Sequence, residues 1–192
     1  METLNPIAVL VRNERGVLAR VAGLFARRGF NIVSLAVGET ENPRVSRISV
    51  VVGGDEPTRQ QVVKQLERLV SVIRVQDLSH TPRVERGLAL VKVRATPENR
   101  DQIIQLANVF RARICHIDHL SMIVEVAGDR EKVSALIDLL KPHGILEMAR
   151  TGQIVLSRHT LLEDEPELAA RRPSSPGAGI YNLTPKEQGE LS

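Results

Sequence analysis

Aromatic residues are nearly missing: three Phe, one Tyr and no Trp among 192 residues. Any packed core must be aliphatic, and an apolar content of 42% is enough to build one. Cysteine is as scarce. The single Cys115 excludes an internal disulfide and any CxxC metal or redox motif, and it fits a reducing compartment. No apolar run approaches the ~18 residues of a membrane-spanning helix. Met1-Glu2-Thr3-Leu4-Asn5-Pro6 has neither a basic nor an apolar stretch, so no secretory signal is expected. P-loop, GxSxG and HExxH motifs are also missing. Together these absences predict a cytoplasmic chain with no membrane partner and no familiar catalytic motif.

Charge is present but uneven. The net charge is +3. From His159 onward, six acidic and three basic residues give −3, so the remainder carries +6. A basic body can attract nucleic acid or an acidic protein surface, and it also keeps a protein soluble. Ferredoxin-like RNA modules stack bases on sheet aromatics. Here Phe25, Phe30 and Phe110 lie on or beside predicted helices and the predicted strands carry none, which argues against nucleic acid.

The chain repeats itself. Ile7-Ala8-Val9-Leu10-Val11-Arg12 matches Leu88-Ala89-Leu90-Val91-Lys92-Val93, and the run from Val45 to Val52 matches Leu120 to Ala127. Gly54-Asp55 and Gly128-Asp129 follow those runs, and each precedes a helical pattern. Two copies of one unit argue for two similar domains. The first copy reads strand 5–12, helix 17–29, strand 31–39, strand 45–53, helix 57–70, strand 72–79. The second reads strand 87–95, helix 97–111, strand 113–118, strand 120–127, helix 129–141, strand 145–150, with an extra strand at 153–157. The βαββαβ order predicts an α+β fold of two ferredoxin-like domains, residues 1–79 and 80–158. The junction from Ser79 to Arg86 has the polarity of a linker. The tail, 159–192, is rich in Pro, Gly, Ser and Glu and is expected to be disordered.

One segment points to function. Asn13-Glu14-Arg15-Gly16-Val17-Leu18 forms a polar turn between a β-branched strand and an amphipathic helix. A helix start leaves free N–H groups, a ready site for a carboxylate, and Gly16 lets a ligand approach closely. Asn13 can cap the helix or hold a ligand amine through its side-chain oxygen. Gly29 stops the helix, and Asn31 opens the next strand, either bridging the turn or meeting Asn13 across an interface. Cys115-His116-Ile117-Asp118-His119 contains metal-binding residue types. Alternation on a strand splits them between two faces, so no metal site is expected. Gly53-Gly54-Asp55-Glu56 reads as a strand-to-helix turn.

Asn13 to Ile32, Ser34-Leu35-Ala36-Val37-Gly38, Ser46-Arg47-Ile48, Val84-Glu85-Arg86, Leu88 to Val93, Phe110 to Ile114, Glu147 and Arg150-Thr151-Gly152 occur together. With this combination the chain resembles the regulatory (small) subunits of acetolactate synthase, also called acetohydroxyacid synthase, over residues 5–158. The first domain resembles an ACT domain, a small-molecule-binding module of amino-acid metabolism. Departures from the pattern are Gly87, Cys115-His116 and the long tail. The resemblance implies a non-catalytic subunit, without a cofactor of its own. It would activate a catalytic large subunit that carries thiamine diphosphate, magnesium and FAD. It would also confer feedback inhibition by valine or another branched-chain amino acid. It further implies a homodimer through ACT domains, with valine held by Asn13, Gly16, Val17 and Leu18 of one protomer and Asn31 and Ile32 of the other. A free-standing amino-acid-responsive or RNA-binding regulator of gene expression is the alternative.

Overall fold

A computed structural model describes residues 3–159; the expectation of a disordered tail falls outside that range. The first unit runs β1 (Leu4–Arg12), α1 (Val17–Arg28), β2 (Ile32–Glu39), β3 (Val45–Gly53), α2 (Glu56–Glu67), β4 (Val72–Asp77). The second runs β5 (Arg83–Arg94), α3 (Arg100–Val109), β6 (Arg113–Ile117), β7 (Ser121–Gly128), α4 (Arg130–Leu140), a 3₁₀ turn, β8 (Ile145–Arg150) and β9 (Ile154–Ser157). Strand orders are β2-β3-β1-β4 and β6-β7-β5-β8, all antiparallel, so both sheets have the ferredoxin-like arrangement. Among the described residues no helix is long and apolar enough to cross a membrane.

Each sheet has its own aliphatic core beneath its helices. Ile7, Val9 and Val11 of β1 meet Val17, Val21, Leu24 and Phe25 of α1 and Val62 and Leu66 of α2. The second core repeats the plan with Val91, Val93, Ile103, Val124 and Leu136. Phe25 is 1% exposed and Phe30 packs edge-on to it at 5.9 Å, so both rings fill the core. Asp55 and Asp129 each cap a helix by accepting from the N–H three residues on, at 3.0 and 2.8 Å. This confirms the strand-to-helix reading of both Gly-Asp pairs.

Three boundaries differ most from the sequence reading. Helix α2 stops at Glu67, short of the expected residue 70, and Val70 is 86% exposed. Helix α3 starts at Arg100 because Asn99 Oδ1 accepts from Thr96 N–H at 2.8 Å, closing a turn over 96–99. The junction is the largest difference. Strand β5 already begins at Arg83, and residues 83–86 pair with β9. One continuous strand therefore serves the second sheet with its later residues and a two-stranded ribbon with its first four.

That ribbon is packed onto the first sheet. Ala8 alternates with the helix-facing Ile7 and Val9, so it points to the opposite face. There it joins Leu78 and Val155 in a small third cluster. The Val155 N–H donates to Ser49 Oγ at 3.3 Å, and the Gln153 N–H donates to Ser34 Oγ at 2.8 Å. Burial of Val50, Val51 and Val52 in succession follows, because both faces of β3 are covered there.

Candidate ligand-binding site

The turn after β1 is built by a glycine that takes the left-handed conformation. Gly16, with φ 81° and ψ −1°, is the residue before α1, and no side chain caps that helix. A Cβ at Gly16 would meet nothing within 4 Å, so the space beside its backbone is open. The Val17 N–H turns back to the Glu14 carbonyl at a long 3.4 Å, and the Arg20 N–H reaches the Gly16 carbonyl at 3.0 Å. Among the described residues the N–H groups of Gly16, Leu18 and Ala19 have no protein acceptor. They lie at the positive end of the helix dipole, in the environment a carboxylate favours.

Asn13 does not cap the helix. Its Nδ2 donates to Glu39 Oε1 at 3.0 Å and to the Pro43 carbonyl at 2.9 Å, and its backbone N–H donates to the Arg44 carbonyl at 2.7 Å. With the amide nitrogen engaged, Oδ1 is left without a donor among the described residues. Nothing in the sequence marks Glu39, Pro43 or Arg44 as contacts of Asn13, because the register of the β2–β3 hairpin against Asn13 is a tertiary fact.

The remaining predicted residues divide by exposure. Val17 is 4% exposed and its side chain belongs to the core, so only its backbone faces the turn. Leu18 is 45% exposed and presents an apolar surface beside the free N–H groups. Asn31 is exposed, and among the described residues its side chain has no hydrogen-bond partner; its carbonyl accepts from Gly53 N–H. Ile32 is half-buried against the first core.

The chain brings Asn13, Gly16, Val17 and Leu18 together, but not with Asn31 and Ile32. Asn13 contacts Glu39 at the last residue of β2, whereas Asn31 immediately precedes its first. Eight residues of strand separate the two ends, roughly 26 Å. Strand β2 is also a sheet edge. Elsewhere, Cys115 is exposed with its thiol donating to Glu125 Oε2 at 3.6 Å. No group of three or more metal-binding side chains forms among the described residues.

Comparison with known proteins accounts for both halves. Residues 7–74 match the acetohydroxyacid synthase (AHAS) small subunit-like ACT domain, and residues 86–159 match the small subunit of acetolactate synthase. The probable acetolactate synthase small subunit of Archaeoglobus fulgidus is 53% identical over 152 residues, covering 79% of this chain and 95% of that protein. The small subunit of Aquifex aeolicus is 46% identical over 161 residues, 83% of each. The crystal structure of the Thermotoga maritima small subunit superposes with a TM-score of 0.74 at 42% identity, covering 82% of this chain and 99% of that one. The turn with the unpaired N–H groups thus sits inside the matched ACT domain, the second sheet inside the matched C-terminal region, and the chain belongs to the acetolactate synthase small-subunit family.

Proposed function

We propose that this chain is the non-catalytic regulatory subunit of an acetolactate synthase, activating the catalytic large subunit and conferring feedback inhibition by valine. The large subunit is the partner that carries thiamine diphosphate, magnesium and FAD; this chain needs none. Its ligand lies between two copies of the chain. The single observation that carries this reading is the placement of Asn13 and Asn31 at opposite ends of the free edge strand β2. A two-fold pairing of β2 with β2 of a second copy covers both edges. It also sets Asn31 and Ile32 of one protomer beside the Asn13–Leu18 turn of the other. The ligand carboxylate then meets the N–H groups of Gly16 and Leu18, and its ammonium meets the oxygens of Asn13 and Asn31. Its side chain meets Leu18 and Ile32. Aliphatic walls of this kind suit a branched-chain amino acid, and separate valine from leucine or isoleucine by only about 1–3 kcal/mol.

The test is reconstitution. The purified chain is mixed with the catalytic subunit, and acetolactate formation is followed over a valine series alongside sedimentation and calorimetry. Activation, valine inhibition and one valine per half-dimer interface are expected. Full-affinity valine binding by a demonstrably monomeric chain would overturn the shared site. Co-purification with RNA in place of the thiamine enzyme would favour a regulator of gene expression.

A further inference from the structure

We infer that the Thr151–Gln153 turn of the second sheet is a positioning element for strand β2, and through it for the ligand residues Asn31 and Ile32. The turn is fixed at its base: the Thr151 N–H donates to the Leu88 carbonyl at 2.9 Å, and the Leu88 N–H donates to Thr151 Oγ1 at 2.9 Å. It therefore moves with β5. At its tip, Gly152 lies against the peptide between Leu35 and Ala36. A Cβ there would fall on the Leu35 carbonyl and 2.9 Å from the Ala36 nitrogen. Both obstacles are backbone, so nothing larger than glycine fits unless β2 moves. The next residue holds the contact with the Gln153 N–H bond to Ser34 Oγ.

Ser34 stands where β2 has slack. The pairing of β2 with β3 shifts register between Ile32 and Ser34, leaving one extra residue on β2 between the clamp and the ligand end. Strand β2 has no second neighbour within its own sheet. Within one protomer the start of β2 is thus set by β3 on one side and by the 151–153 turn from above. An irregular strand end held from a second sheet is suited to report ligand occupancy to that sheet. Coupling of this kind runs both ways: if the clamp favours the ligand-ready position of Asn31, the ligand favours the clamp. The valine arm of this inference rests on the function proposed above.

Ser34 and Ser49 make the same kind of bond to the same segment, each accepting a backbone N–H from 153–155. Ser49 does so on β3, a strand paired on both sides. General loosening of the ribbon would therefore affect Ser34→Ala and Ser49→Ala alike, whereas a positioning role singles out Ser34→Ala. In the full-length protein, S34A is expected to weaken valine binding by about fivefold or more, while S49A leaves it within about twofold of wild type. Ligand-free hydrogen exchange at residues 31–36 is expected to rise about tenfold in S34A and to stay near wild type in S49A. Equal valine affinity or equal exchange in the two variants overturns the inference. If the wild type binds no branched-chain amino acid, the proposed function fails, and the exchange comparison alone decides the role of the turn.

Discussion

Asn13 and Glu39 are joined at the turn end of the β2–β3 hairpin, with Asn13 Nδ2 donating to Glu39 Oε1 at 3.0 Å. The carboxylate sets which way the amide faces. Removing it leaves Asn13 free to turn, and only the Pro43 carbonyl still holds the nitrogen. Glu39→Ala is expected to weaken valine binding by roughly 0.5–1 kcal/mol and Asn13→Ala by about 1–3 kcal/mol. Calorimetric titration of both variants checks the order. A larger loss in E39A than in N13A would show that Glu39 itself contacts the ligand.

Gly16→Asp is expected to abolish feedback while sparing activation. The fold has room for the side chain, since nothing lies within 4 Å of a Cβ there, but a backbone at φ 81° strains any residue other than glycine. A stability loss of about 1–2 kcal/mol is expected. The new carboxylate occupies the space in front of the helix-start N–H groups and competes with the ligand carboxylate. The assay is acetolactate formation by the reconstituted enzyme over a valine series. Inhibition unchanged from wild type would place the site elsewhere.

Asn31→Ala is expected to weaken valine binding by about 1–3 kcal/mol, the range for a hydrogen bond to a charged group. Its side chain is exposed and holds nothing within its own chain among the described residues, so the melting temperature should stay within a degree or two. Thermal unfolding and titration run together test this. A collapse of the melting temperature along with affinity would make Asn31 a structural residue.

The cap of α2 gives a pH-dependent prediction. The Thr58 hydroxyl and N–H donate to Asp55 at 2.5 and 3.0 Å and hold its carboxyl below the ordinary value of 3.8. A carboxyl depressed in the folded state stabilises above its unfolded pKa, and that contribution is lost as pH falls through the folded one. Asp55→Ala should therefore be less stable than wild type at neutral pH, and the two denaturant curves should converge in acid. A gap of constant size across that range would separate the cap from its charge.

Much of this fold is legible in the residues. The β-branched run from Ile7 to Val11, Gly29 after the first helix and the Gly-Asp pairs place most elements within a few positions. Two things were not legible. Polarity between Ser79 and Arg86 reads as a linker, yet Glu85 lies opposite Val155 in a paired ribbon. Unbroken apolar runs at Ile7 to Val11 and Val50 to Val52 are the local trace of a first sheet covered on both faces. At Gly87, a departure from the family pattern, a Cβ would meet the Gln153 side-chain amide, which a larger residue would have to displace. At the candidate site, the glycine turn was readable from local sequence. The Glu39 and Pro43 contacts to Asn13 depend on how β1 and the hairpin align, and the separation of Asn31 from Glu39 by the length of β2, roughly 26 Å, is a consequence of topology.

The bond between Ser34 and Gln153 spans 119 residues of chain. During synthesis the first sheet can close over its helices long before β9 exists. Its outer face then waits while more than half of the described chain is still to be made. Contacts that close so long a loop are late and slow. What waits is a small apolar patch: Ala8, Val51 and Leu78 are interrupted by Ser34 and Ser49, and Val155 arrives last to cover them. Two serines that later accept N–H groups can bind water until then. The order of strands along the chain thus makes docking of the ribbon the final assembly step, and leaves the nascent first sheet with little surface for other chains to seize.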